Sequence, residues 1–466
     1  MFDIPPAVWI KLKVAFAFTT FVQSFARYPD TFTYWIDTSM KPTPVPLFAL
    51  TLLTTFLSCR GGNEMNHAAS FDQKLLGTIP ADLNVVSNDD LVFSPDGRSV
   101  AYTAERDRKH VVVVNNARQP EYDWTDKPVF SPDGKKVAYA AVTDINWKRW
   151  LDPAVPNFER GGQWWVIDNG QRIGPYDYAW LVSYSPGGNH VAFAAMKGNR
   201  WFVVNGGRAG AEYEWVNMPF FSADGRVAYS ARTGEKAFMV VDTTAGPPFD
   251  EVGDPYWSPD SKRLAYPALT GNKWYTVLDT ARRGPFDRLR SFWYRNDGTL
   301  GFVANRNNKS FVVVGTTEHE AFDDILDFRF SDDGSAMVWD VKKNDSGFVV
   351  SGTQHLGPFK SVTGIALSPN GSRLAYATFN GRYVIVLDGK TVQETTDMPI
   401  KMEFSPDGRN LVYILVGDED KCLGINGKES VRFDDVRTYL FSPDGKKVAF
   451  GARAGNELWW KVQSLP

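Results

Sequence analysis

The sequence predicts an all-β chain, a β-propeller of about ten four-stranded blades. Three observations carry that prediction: a turn signature that recurs ten times, a near-constant interval between its copies, and the same run of strands after each copy.

The signature is Ser-Pro-Asp-Gly or a close variant, beginning at Ser94, Ser131, Ser185, Ser222, Ser258, Arg295, Ser331, Ser368, Ser405 and Ser442. The intervals are 37, 54, 37, 36, 37, 36, 37, 37 and 37 residues. Only the second is long, by roughly 17 residues, which reads as one insertion in one repeat. Within the turn, Pro pre-sets the backbone, Asp hydrogen-bonds forward along the chain, and Gly takes the φ > 0 position.

An apolar pair enters each turn as the end of a first strand, as in Val92-Phe93, Phe220-Phe221 and Tyr256-Trp257. A second strand leaves it with β alternation, as in Lys136 to Ala140 and Arg263 to Tyr266. After a short polar hairpin such as Lys197-Gly198-Asn199-Arg200 comes an apolar third strand, as in Trp201 to Val204, Phe311 to Val314 and Tyr383 to Val386. A Gly-rich bend follows. An aromatic–Asp pair is then expected to open the fourth strand: Tyr176-Asp177, Phe249-Asp250, Phe286-Asp287, Phe322-Asp323 or Phe433-Asp434.

Small antiparallel units without helices bury their faces only against neighbouring copies, and radial packing into a ring does this while leaving short edges. The last copy, Phe441 to Val462, has three strands, and Leu83-Asn84-Val85-Val86 is the expected spare strand that completes it. That complementarity favours one closed ring over two smaller tandem propellers, although ten copies exceed the usual four to eight blades.

Composition agrees. Hydrophobic residues make up 43% and aromatics 14%, with 16 Trp and 32 Phe, which suits strands; 39 Gly and 28 Pro punctuate many short turns. The net charge of −3, with no basic run, argues against nucleic-acid binding. The two cysteines, Cys59 and Cys422, imply no disulfide framework.

The run Phe-Ser-Pro-Asp-Gly-Lys-Lys-Val-Ala-Tyr at Phe130 to Tyr139, nearly repeated at Phe441 to Phe450, resembles the WD40-like repeat of TolB-type propellers. The resemblance covers residues 75–466. It implies a periplasmic protein that works through protein contacts, without naming a partner.

Residues 40–59, from Met40 to Cys59, hold one Lys, an apolar stretch from Val45 to Leu57, and Ser58-Cys59: the parts of a secretory signal in order. About 13 apolar residues are too few to span a bilayer. A Cys at the cut resembles a bacterial lipoprotein signal, which implies lipidation at Cys59, export, and a periplasmic or outer-membrane-associated address. Residues 1–39 then read as a mis-assigned extension ahead of a true start at Met40. The alternative is a separate signal built on Lys11, Lys13 and Val14 to Val22. Residues 60–74 begin small and polar, as a flexible tether does.

No chemistry-bearing constellation stands out. The turn aspartates read as turn structure, and the aromatic–Asp pairs recur in too many copies to mark one site. The five histidines lack metal-ligand spacing, and no Gly-x-Ser-x-Gly or Cys-x-x-Cys occurs. No catalytic, cofactor-binding or metal-binding residue is assigned. The insertion, Thr143 to Gly162, interrupts the hairpin between the second and third strands of copy two and carries Trp147, Lys148, Arg149, Trp150 and Phe158. Trp and Arg dominate interface energies, so this loop is the candidate partner-binding segment. The expected function is an exported, lipid-anchored binding module for an envelope protein or glycan. The alternatives are a hydrolase or lyase acting in the central channel and a structural envelope protein.

Overall fold

The computed structural model describes residues 69–150 and 161–466. The signal segment, Cys59 and Phe158 lie outside the described residues.

Strands sort into ten antiparallel sheets, nine made of chain-consecutive strands and the tenth of the last three strands plus the first, and the ten four-stranded blades form one ring. First strands of neighbouring blades touch one another. Tyr256 stacks on Phe292 at 4.8 Å, and Lys401 Nζ donates to Thr438 Oγ1 at 3.1 Å. Fourth strands such as Gln171–Tyr176 and Gln354–Phe359 are exposed along most of their length. First strands therefore line the channel, and fourth strands form the outer wall.

Packing runs between blades. Val303 and Val312 of blade six share a core with Ile325 and Val341 of blade seven; Val338 and Val349 of blade seven share the next with Val362 and Ile365 of blade eight. Alternate residues of each middle strand thus face opposite neighbours, and each fully buried aliphatic side chain contributes about 1.5–3 kcal/mol.

The turns behave as their residues dictate. The hydroxyl of Ser258 donates to Asp260 Oδ1 at 2.7 Å and accepts from the Arg263 amide at 2.9 Å. Ser331 does the same with Asp333 at 2.7 Å and the Ala336 amide at 2.9 Å.

Two expectations are corrected. The strand that completes the tenth blade is Lys74–Thr78, not Leu83–Val86. It pairs antiparallel with Glu457–Ser464, setting Lys74 opposite Trp460 and Thr78 opposite Glu457. Asn84–Val85 instead pairs with Val100–Arg106 as the upper half of blade one's first strand, while Leu83 packs in the same cluster as Leu76, Leu458 and Trp460. Closure is tight. Trp460 is fully buried, its Nε1 donates to the Ser70 carbonyl at 2.7 Å, and a Cβ on Gly97 would lie 2.1 Å from its ring.

The aromatic of each aromatic–Asp pair ends the fourth strand rather than opening it, as at Gln171–Tyr176, Ala281–Phe286 and Thr317–Phe322. The Asp then bridges to the next blade. Asp250 takes the Lys236 ammonium at 2.7 Å on one oxygen and the Gly271 amide at 2.8 Å on the other. Asp323 likewise takes Lys309 at 2.5 Å and the Asn344 amide at 2.7 Å. Lysine comes from the start of one blade's third strand and the amide from the tip of the next blade's second hairpin. The pair thus staples neighbours along one face of the ring.

Candidate functional site

Every first strand breaks its hydrogen-bond ladder near the same point. In blades two, four and five the break holds Pro128, Pro219 and Pro255, which have no amide to donate, and each strand splits in two. In blade one a short 3-10 turn, Asn88–Asp90, fills the gap. The other blades carry a register shift there, for example between Trp180 and Ser183, Arg290 and Trp293, and Ile400 and Glu403. Leu181, Ser291 and Lys401 sit at these shifts with left-handed φ of 57°, 53° and 51°.

These breaks turn side chains toward the channel, so the fifth and fourth residues before each turn signature form a collar. Its first level reads Asp89, Asp126, Trp180, Asn217, Gly253, Arg290, Leu326, Thr363, Ile400 and Arg437 around the ring. Leu326 and Ile400 are 52% and 38% exposed, which shows that this level faces open space.

The collar is chemically uneven. Over blades two to five it presents Asp126, Trp180, Asn217 and Asp254, with Asn217 Nδ2 donating to Asp254 Oδ1 at 3.2 Å. Burial pushes the Asp126 and Asp254 carboxyls above the ordinary carboxylate range. Burial also raises Asp90 to about 6, with Lys127 opposing and Asp126 and Asp89 assisting. On either flank of this arc, Arg437 of blade ten pairs with Asp89 of blade one at 2.6 Å, and Arg290 of blade six pairs with Asp324 of blade seven.

Blade seven holds a strongly perturbed carboxyl. Asp340 faces Asp327 across a strand pair, is 6% exposed, and has no hydrogen-bond partner at Oδ1. Burial, with the nearby charges of Asp327 and Asp324, raises it to about 8, so it is a neutral acid at pH 7. Its depth keeps it from substrate in the channel.

Tryptophans make an arc above the collar. The first residues after the bridging acids, Trp124, Tyr178 and Trp215, meet the third-strand residues Trp164 and Trp201. Centroids lie 5.6 Å apart for Trp124–Trp164, 4.4 Å for Trp164–Tyr178 and 4.6 Å for Trp201–Trp215. The insertion docks here. Its short helix, Trp147–Trp150, lays Trp150 on Trp164 at 6.0 Å, while Trp147 stays 40% exposed. Arg149 is exposed beside it, and the Ile145 amide, buried under the loop, donates to Asp123 Oδ2 at 2.9 Å. Of the sequence-derived loop residues, Trp150 is thus built into the wall and Trp147 stands out from it.

Among the described residues no group of three or more His, Cys, Asp and Glu is placed to hold a metal ion. His110, His190, His319 and His355 lie in different blades, the first three against the aromatic rings of Trp124, Phe221 and Trp339. Cys422 is a buried free thiol that burial pushes up to about 11, an inert state.

Fold and collar define the class: a ten-bladed β-propeller with an open, unevenly charged channel wall. Among solved structures the chain is similar to a crystal structure of a eukaryotic initiation factor, at 14% identity and a TM-score of 0.44, covering 72% of this chain and 94% of that one. It is also similar to the Dos1 propeller, at 11% identity and a TM-score of 0.36, covering 72% and 92%. No family model and no curated protein matches the chain.

Proposed function

We propose that this propeller is an exported, lipid-anchored binding module that presents one face of its ring to a protein or glycan of the bacterial cell envelope. The observation that carries binding is the rim over blades two to four. There an insertion is anchored through Trp150 on a tryptophan wall and holds Trp147 and Arg149 outward. Rigid aromatic anchors beside an Arg are what interface hot spots are made of. Export and anchoring rest on the lipoprotein-like segment ending at Cys59 and on the resemblance of the repeats to TolB-type propellers. A channel hydrolase is less favoured, because the strongly perturbed Asp340 is enclosed by protein.

Intact-mass analysis of the native protein, combined with in-cell cross-linking, tests this reading. The expected result is a mature chain beginning at an acylated Cys59, with envelope neighbours cross-linked through the blade-two rim. A cytoplasmic, unprocessed chain would contradict it.

A further inference from the structure

We infer that the channel wall of blades two to five is a saccharide-binding site, with Trp180 as the stacking platform and Asp126, Asn217 and Asp254 as the hydroxyl-binding groups. The inference rests on the binding-module reading and names its ligand class.

The argument starts from position. Asp126, Trp180 and Asn217 stand at one level on successive first strands, where the ladder breaks, and Asp254 stands one residue further along the next first strand, within hydrogen-bond reach of Asn217. Trp180 is half-buried and held from behind by Tyr178, Trp201 and Trp215, with ring centroids at 6.1, 6.5 and 6.0 Å. A fixed indole loses little freedom when a ligand lies on it. Its Nε1 is buried against the protein, without a hydrogen-bond partner among the described residues, so the ring and not this donor is what the channel can meet. On either side stand planar polar groups. Asp126 Oδ1 accepts from the Lys127 amide at 2.8 Å, and the Asn217–Asp254 bond at 3.2 Å fixes the plane of that amide.

A pyranose is the complement of this arrangement. Its axial C–H groups form an apolar face that lies on an indole, and its ring-edge hydroxyls both donate and accept. A carboxylate accepts from two adjacent hydroxyls, and an amide does one of each. A cationic ligand fits less well. Cation recognition calls for aromatic faces on several sides, whereas one indole occupies this level and a neutral amide separates the two acids. Lys127, beside Asp126 and Asp90, further offsets the negative charge. The wall therefore suits a neutral sugar.

The test is titration of the intact protein with cellohexaose, chitohexaose and maltohexaose, read by calorimetry and tryptophan fluorescence. At least one should bind and change the indole emission. Trp180→Ala should weaken it tenfold or more, and Asn217→Ala several-fold, each compared at a temperature where circular dichroism shows the variant still folded, since both changes also remove packing or a hydrogen bond and lower the melting temperature. Should Trp180→Ala fail to fold, Trp180→Phe, which keeps a ring, should bind within a few-fold of the parent and Asn217→Ala still weaken binding. Absence of binding by all three sugars overturns the inference, as does binding indifferent to Asn217→Ala. A cross-linked envelope protein with no sugar bound would sink this site while leaving the binding-module reading standing. Sugar binding by a chain that is never exported would do the reverse.

Discussion

At Asp340 the fold keeps a carboxyl in the protonated state. Its ordinary value is 3.8, and burial beside Asp327 and Asp324 lifts it to about 8. Between those values the folded chain retains a proton that the unfolded chain has released, so stability falls as pH rises from about 4 to about 8 and then levels. Asp340→Asn removes that dependence. The melting temperature of the variant should decline less across this window, and at pH 8 it should exceed the parent's by the equivalent of a few kcal/mol at most. Identical pH profiles for the two proteins would show that Asp340 is ionised in the fold. Nothing in the sequence marks Asp340. It sits in a strand of ordinary alternation, and its matching positions in blades two, three and eight, Ala140, Ala194 and Ala377, are small and apolar. The collar was equally hard to read, for a related reason. Channel positions change from most copies to the next, from Asp126 to Trp180 to Asn217 to Arg290, so no repeating pattern marks them. Lining the copies up on the turn serine is the signal that finds them.

Between blades, the recurring aspartate is the joining element. Asp123 shows it at its most buried: one oxygen takes the Lys109 ammonium and the other the Ile145 amide at 2.9 Å. Burial raises its pKa, but the amide bond and the lysine outweigh that and hold the carboxyl below the ordinary range. Asp123→Ala leaves the buried Ile145 amide without its partner and should cost about 1–3 kcal/mol. Urea unfolding would measure this, and a loss below a few tenths would show the bridge to be idle. Because the same aspartate anchors the insertion at Ile145, the variant should also loosen Trp150, which near-ultraviolet circular dichroism would report. The sequence shows the aromatic–Asp pair plainly but not which element it closes. Alternation reads the same from either end of a strand, and only the observed pairing of Trp274 with Phe286 shows the aromatic finishing the fourth strand.

The whole molecule is a ring because its ends share a sheet. Ten turn signatures made the number of blades legible, and the missing fourth strand of the last copy made closure legible. The identity of the closing strand was not. Lys74–Thr78 carries no repeat signature, lies ahead of the first turn, and holds just two buried residues, Leu75's neighbour Leu76 and Gly77. Leu83–Val86 looked spare because blade one's first strand is broken, which hides its upper half, Asn84–Val85, from a search for one continuous strand. Paired cysteines at Thr78 and Glu457, which face each other across the closing pair, test this most directly. With Cys59→Ser as background, mild oxidation of Thr78→Cys/Glu457→Cys should give an internal disulfide that joins the two ends of the ring. Val85→Cys/Glu457→Cys should stay reduced. The reverse outcome, a bond from position 85 and none from position 78, would contradict the ring as described.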